Sequence, residues 1–202
     1  MFALVESGSI TKMLSGNRGI TLGSNQYPKA IFTLWTKDER EAIGIYEVVW
    51  DNSKKKDENW YINTNVSYAF AGGKVTASYG DATAKAHADT LWTQQDSDDG
   101  LLPSDKSVGD VKTRGLKYNL IQTVKQQAAG ELQNTDWYVV RKADAGTAVP
   151  SAITTHRAAV RTKCAEMETA ITNAADTPAL ETLYTRDAGG VRPLGELPRL
   201  ES

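Results

Sequence analysis

The spacing of apolar residues changes once along this chain, from a period of two before about Gly80 to a helical period after about Ser107, and that change limits the fold more than any motif does. It predicts an α+β protein with a β-rich N-terminal module over residues 1–80, carrying one short helix. Phe2-Ala3-Leu4-Val5-Glu6 and Ser9 to Leu14 read as strands split by Ser7-Gly8, which suits the positive φ of a tight hairpin turn. Trp60 to Phe70 and Lys74 to Tyr79 read as a second hairpin across Gly72-Gly73, with β-branched and aromatic residues recurring at alternate positions. Between the hairpins, Thr36 and Glu39 have the spacing of a capping box, and Gly44 suits a left-handed C-terminal cap. A helix of one or two turns is expected there, handing over to a strand from Ile45 to Trp50.

Residues 107–188 predict an antiparallel helical hairpin with a short third helix. Val111, Leu116, Leu120, Ile121, Val124, Ala128 and Leu132 recur at helical spacing, with Ser107 or Asp110 as N-cap and Asn134 past the end. That allows a helix of up to about 25 residues, or ~38 Å. Gly115 and Gly130 weaken it, by roughly 1 kcal/mol each relative to Ala. Asp136 to Arg141 reads as extended, ahead of a turn at Ala143 to Gly146. Pro150-Ser151 opens the second long helix, with Ile153, Val160, Cys164, Met167 and Ile171 on one face, and Thr177-Pro178 opens the third. Residues 81–106 lack a sustained period and read as an acidic linker or crossover, with Asp96 to Gly100 as a turn or loop. Residues 189–202, with two prolines and three leucines, read as an extended tail that docks on the chain's own body or on a neighbour.

Composition narrows the chemistry. The 202 residues carry 23 bases and 25 acids, a net charge of −2, with no long-range pull on nucleic acid or anionic lipid. Residues 1–80 hold 9 bases and 8 acids, residues 81–106 hold 2 and 6, and residues 107–202 hold 12 and 11, so the acidic excess sits in the linker. No apolar run approaches the roughly 18 residues of a membrane span, and the first apolar run meets Glu6 too soon for a signal-peptide core, so a soluble, unprocessed protein is expected. Cys164 stands alone with His87 and His156, which supports neither an internal disulfide nor a Cys/His zinc site.

Catalytic templates fail in turn. The chain has no Gly-x-Ser-x-Gly elbow, no phosphate loop ending in Gly-Lys-Ser/Thr, no His-Glu-x-x-His and no dinucleotide glycine fingerprint. With Gly100 at the sixth position of a calcium loop, the twelfth would be Lys106, so the acidic run is a solvated loop. Lys54-Lys55-Lys56, followed by Asp57-Glu58, reads as another. His156 is expected exposed or capping, Cys164 buried as a small hydrophobe, and Trp35 and Trp137 as core anchors. No catalytic residue, metal or cofactor is expected. Arg157 and Arg161 lie one helical turn apart and could clamp a carboxylate such as Asp136, or a backbone carbonyl, beside Trp137.

The run Asn134-Thr135-Asp136-Trp137-Tyr138-Val139-Val140-Arg141, then Val149-Pro150 and Thr155-His156-Arg157-Ala158-Ala159-Val160-Arg161, resembles the C-terminal region of tail-fibre and tail-fibre-assembly proteins of tailed bacteriophages. That pattern is a Thr-Asp-Trp strand followed by a helix with an aromatic-Arg-x-x-x-Arg repeat, His156 standing where an aromatic is usual. Leu34-Trp35-Thr36, Ala42 to Tyr46, Gly72 to Val75 and the tail ending in Leu197-Pro198 are similar to structural proteins of marine phages. The resemblance implies a non-enzymatic virion protein of the tail, made in the host cytoplasm, with other tail or fibre proteins and copies of itself as partners. Trp137, Arg157 and Arg161, with Val191, Pro193, Leu194, Leu197 and Leu200 of the tail, are the expected protein-interaction residues. An assembly chaperone that leaves the finished particle is the alternative.

Overall fold

A computed structural model describes residues 1–200 of the chain, which divides into two compact units, residues 1–83 and 84–202. The class is α+β, with the β-rich region first and the helices after it.

In the first unit, β1 (Phe2–Glu6) and β2 (Ser9–Leu14) form an antiparallel hairpin whose turn residues Ser7 and Gly8 both have positive φ, 51° and 79°. A second small hairpin, β3 (Ile20–Leu22) and β4 (Asn25–Tyr27), leads to a single turn of helix, α1 (Ile31–Leu34). Neither has an apolar period long enough to read from sequence. The expected capped helix is α2 (Lys37–Ala42), with the Thr36–Glu39 capping box formed in both directions and Gly44 at φ 80°. It feeds β5 (Ile45–Asp51). The expected long strand from Trp60 to Phe70 is broken into β6 (Tyr61–Ile62) and β7 (Ser67–Ala71). Asn65 causes the break: its φ of 59° turns the chain, and its carbonyl accepts a hydrogen bond from the Gly80 amide. β7 then pairs with β8 (Lys74–Ser78) across Gly72-Gly73, both with positive φ.

These strands make one five-stranded sheet in the order β2-β1-β5-β8-β7, antiparallel except for β5 and β8. Alternation along β1 sends Ala3 and Val5 to one face and Phe2 and Leu4 to the other, and each face has its own core. Ala3, Val5, Val48, Val75 and Ala77 fill the first, where the edge strands β2 and β7 come into contact as the sheet curls. Leu4, Leu14, Ile31, Phe32 and Ile45 fill the second, covered by α1 and the β3–β4 hairpin. A two-residue strand, β9 (Thr83–Ala84), lies where the units divide.

The second unit begins inside the expected linker. Thr90–Leu91 (β10) pairs with Val111–Thr113 (β11), and between them lies α3 (Gln94–Asp98). The acidic residues are structural: Asp96 closes a capping box on Thr93, while Gln94 and Gln95 donate to Asp98 and Asp99. Two-residue strands leave no periodic trace, which is why this stretch reads as a linker.

Helix α4 (Leu116–Gln133) therefore starts later than Val111, which belongs to β11. Its first turn is capped by distant backbone, since the amides of Leu116 and Lys117 donate to the carbonyls of Ala86 and His87, and the Gly115 amide donates to Asp89. Gly115 is required there, because a Cβ would lie 2.3 Å from the Ala88 backbone. The stretch from Asp136 to Arg141 is helical, not extended. It belongs to α5 (Asp136–Ala145), ended by Gly146 in the left-handed region at φ 68°. The β propensity of Trp-Tyr-Val-Val yields to a turn fixed from outside, described below. Helix α6 (Ser151–Asn173) and α7 (Thr177–Tyr184) lie where expected. Lys117 Nζ donates to the Thr172 carbonyl, Lys125 pairs with Glu168, and Arg157 donates to the Leu132 carbonyl, so α4 and α6 run antiparallel. Their facing stripes bury Val124 and Ala128 against Val160, Met167 and Ile171.

Candidate protein-interaction site

The corner between α4 and α5 is organised by one buried side chain. Arg157 projects from α6, and its Nη1 donates to the Leu132 carbonyl at 2.8 Å and to Thr135 Oγ1 at 2.7 Å, while lying 2.8 Å from Asp136 Oδ1. Leu132 is in the last turn of α4, Thr135 is the fully buried corner residue, and Asp136 opens α5. The guanidinium thus adds a charged donor to a helix-end carbonyl that also accepts from the Thr135 amide and hydroxyl, and it holds the first acid of the next helix. Asp136 stands in the first turn of α5, where the helix dipole also favours it. Arg161 does not join this clamp; its Nη1 points back to the Arg157 carbonyl at 3.4 Å.

Because the corner turns the chain into a helix, Trp137 is thrown outward. It is 52% exposed, so the core-anchor expectation for it is corrected, whereas Trp35 does pack on the core of the first unit. The ring of Trp137 lies against Tyr138, with centroids 4.2 Å apart, and Arg141 stacks over both, 4.5 Å from the Trp137 centroid and 5.4 Å from that of Tyr138. These contacts give the exposed indole one partner in Tyr138 and another in Arg141. Arg141 and Tyr138 were not among the expected site residues; the Trp137–Arg141 spacing of four would have pointed to them, once α5 was read as a helix.

At 100° per residue, Val139, Ala143, Val140 and Trp137 occupy one arc of about 160° on α5, with Asp136 and Asp144 interleaved. All four are exposed, Val140 to 64%. The half-buried Arg141 and Tyr138 border this arc on the side beyond Trp137. A helix in a folded unit ordinarily turns its apolar arc inward; this one turns it to solvent.

His156, expected at the surface, is buried beside Arg157 on α6, and its Nε2 has no hydrogen-bond partner among the described residues. Cys164 is half-buried; burial first, then the Glu168 carboxylate that its Sγ faces, pushes its thiol pKa up. The described residues contain no group of three or more His, Cys, Asp or Glu placed to hold a metal ion.

The expected docking residues of the tail divide. Leu194 is buried and its amide donates to the Leu183 carbonyl of α7, so this part of the tail packs on the chain's own body. Glu196 is held by Arg186 at 2.7 Å and Arg192 at 2.9 Å. Leu197 is half-buried and lines a cleft with Gln127 and Glu131 of α4. Val191, Pro193 and Leu200 remain exposed. Residues 201–202 of the expected tail lie outside the described residues.

No helix of the described residues is long and apolar enough to cross a membrane. Comparison with protein-family models, with curated proteins and with solved structures finds no match to this chain.

Proposed function

We propose that this chain is a non-enzymatic structural protein of a tailed-bacteriophage particle, placed in the tail at the baseplate, tube or fibre attachment, and that it works by protein–protein assembly. The observation that carries this reading is the outward apolar arc of α5, held rigid by the Arg157 brace at one end and by the Arg141 stack beneath Trp137. A preorganised aromatic flanked by aliphatic side chains is what a protein contact needs at its centre, since little side-chain freedom is lost on binding. Nearly balanced charge in both modules fits surfaces that meet protein rather than nucleic acid. The Thr135-Asp136-Trp137 and Arg157-x-x-x-Arg161 pattern is similar in sequence to that of tail-fibre proteins, although its Thr-Asp-Trp part is helical here, and this similarity suggests the partner class. In a symmetric particle, repeated weak contacts add up through avidity.

Mass spectrometry of purified particles and of unassembled fibre complexes tests the reading. The chain is expected in the particle at a fixed ratio to the other tail proteins. Its presence on unassembled fibre protein and absence from particles would assign it to an assembly chaperone instead.

A further inference from the structure

The sheet face that carries Leu4 and Leu14 is not fully covered. Between edge strand β2 and the β3–β4 hairpin lies an open cleft of about 560 Å³, inside the range of roughly 300–1,000 Å³ that small-molecule sites span. Within a mixed lining, Ile20 and Leu22 are half-exposed and the buried Leu4 and Leu14 lie beneath, all belonging to or packing against the core of that face. Its rim is cationic: Lys12 and Arg18 line it, no Asp or Glu does, and neither cation has an ion pair, hydrogen bond or aromatic partner among the described residues. Arg40, Lys54 and Lys55 of the same unit each lie against a carboxylate, while Lys29, unpaired among the described residues like Lys12 and Arg18, does not line the cleft.

The wall between β2 and β3 is also built for close approach. Gly16 has a φ of 72°, with the Phe2 ring 3.0 Å from where its Cβ would be, and a Cβ on Gly19 would lie 2.6 Å from the Tyr27 carbonyl oxygen. The connection is therefore pressed onto the hairpin and the aromatic core, and the cleft is a standing feature of the fold. Ser15 and Thr21 add hydroxyls to the lining.

We propose that this cleft binds a small amphiphilic anion, its carboxylate or phosphate head taken by Lys12 and Arg18 and its apolar body laid over Leu4, Leu14, Ile20 and Leu22. Two cations without partners beside these apolar side chains provide for both ends of such a molecule. Neither a neutral hydrocarbon nor a bare ion would use the whole site. The proposal is independent of the assembly role, since it rests on the first unit alone.

Titration of the full chain with decanoate, decyl phosphate and decanol, each below its micelle-forming concentration, tests it by calorimetry and by backbone amide shifts. Binding of either anion is expected to shift the amides from Lys12 to Leu22, to weaken with added salt, and to exceed decanol binding by about tenfold or more. The tighter anion names the head group. The exposed double variant Lys12→Gln with Arg18→Gln should keep its circular dichroism spectrum and lose that preference over decanol. Decanol binding as tightly as the anions, anion binding that leaves those amides unmoved, or an unchanged preference in the folded double variant would each overturn the proposal.

Discussion

Arg157 illustrates how much a single side chain can decide in this fold. Its guanidinium serves three acceptors at once, and one of them, Thr135 Oγ1, belongs to a fully buried residue. Arg157→Ala should destabilise the helical unit by about 1–3 kcal/mol, since the buried Thr135 hydroxyl loses its charged donor, while the Leu132 carbonyl keeps the Thr135 amide and hydroxyl and the 56% exposed Asp136 contributes little. Thermal denaturation followed by helical circular dichroism would read it, and an unchanged transition would remove the brace from the account. Glycine substitutions at Gly115 and Gly130 separate two meanings of one residue type. Gly115→Ala drives a methyl into the Ala88 backbone and should destabilise by at least about 2 kcal/mol, whereas a Cβ at Gly130 meets nothing within 4 Å, and Gly130→Ala should stabilise α4 by up to about 1 kcal/mol. From sequence the two looked alike, because the close approach at Gly115 comes from a residue in a different element.

At the scale of elements, what could be read from sequence is what local residues decide. The Ser7-Gly8 and Gly72-Gly73 turns and the Thr36–Glu39 capping box each complete their hydrogen bonds or positive φ within four residues, and all three are present as read. The start of α4 is the opposite case: its caps come from Ala86, His87 and Asp89, the last 26 residues from the amide it accepts. The same holds for α5, where strand-prone residues become helical because Arg157 reaches across from α6. Thus Asp136 and Arg157 could be paired from their types, but the outward throw of Trp137 could not be read without the helix. In the segment that read as a linker, Asp96 has its carboxyl pulled from 3.8 down to about 2, first by the Lys112 ammonium and then by the Thr93 amide and hydroxyl. Because the folded value lies below the unfolded one, this contact supports the folded state above about pH 4 and loses that support as pH falls towards 2. Amide exchange in α3 and β11 should therefore rise in that window, and Asp96→Asn should flatten the rise.

For the whole molecule, the tail and α5 have different jobs. The buried Leu194 makes part of the tail a strap on α7. Leu194→Ala should cost about 2–3 kcal/mol in the helical unit, measured by denaturant unfolding, with helix content nearly unchanged. Removal of residues 191–202 should likewise keep the helices and impair assembly through the loss of Val191, Pro193 and Leu200, which remain exposed. Assembly unaffected by that truncation would confine the tail to its strap role. The outward arc of α5 carries little structural duty beyond the Tyr138 and Arg141 contacts of Trp137, since Trp137 and Val140 are exposed and the brace lies on Asp136 and Arg157. The most direct measurement is therefore the amount of a Trp137→Ser, Val140→Ser double variant incorporated into particles, alongside its melting temperature. The account predicts incorporation reduced at least about tenfold, with a stability loss of no more than about 1–2 kcal/mol from the lost Tyr138 and Arg141 contacts. Incorporation at the parental level by the folded variant would contradict it.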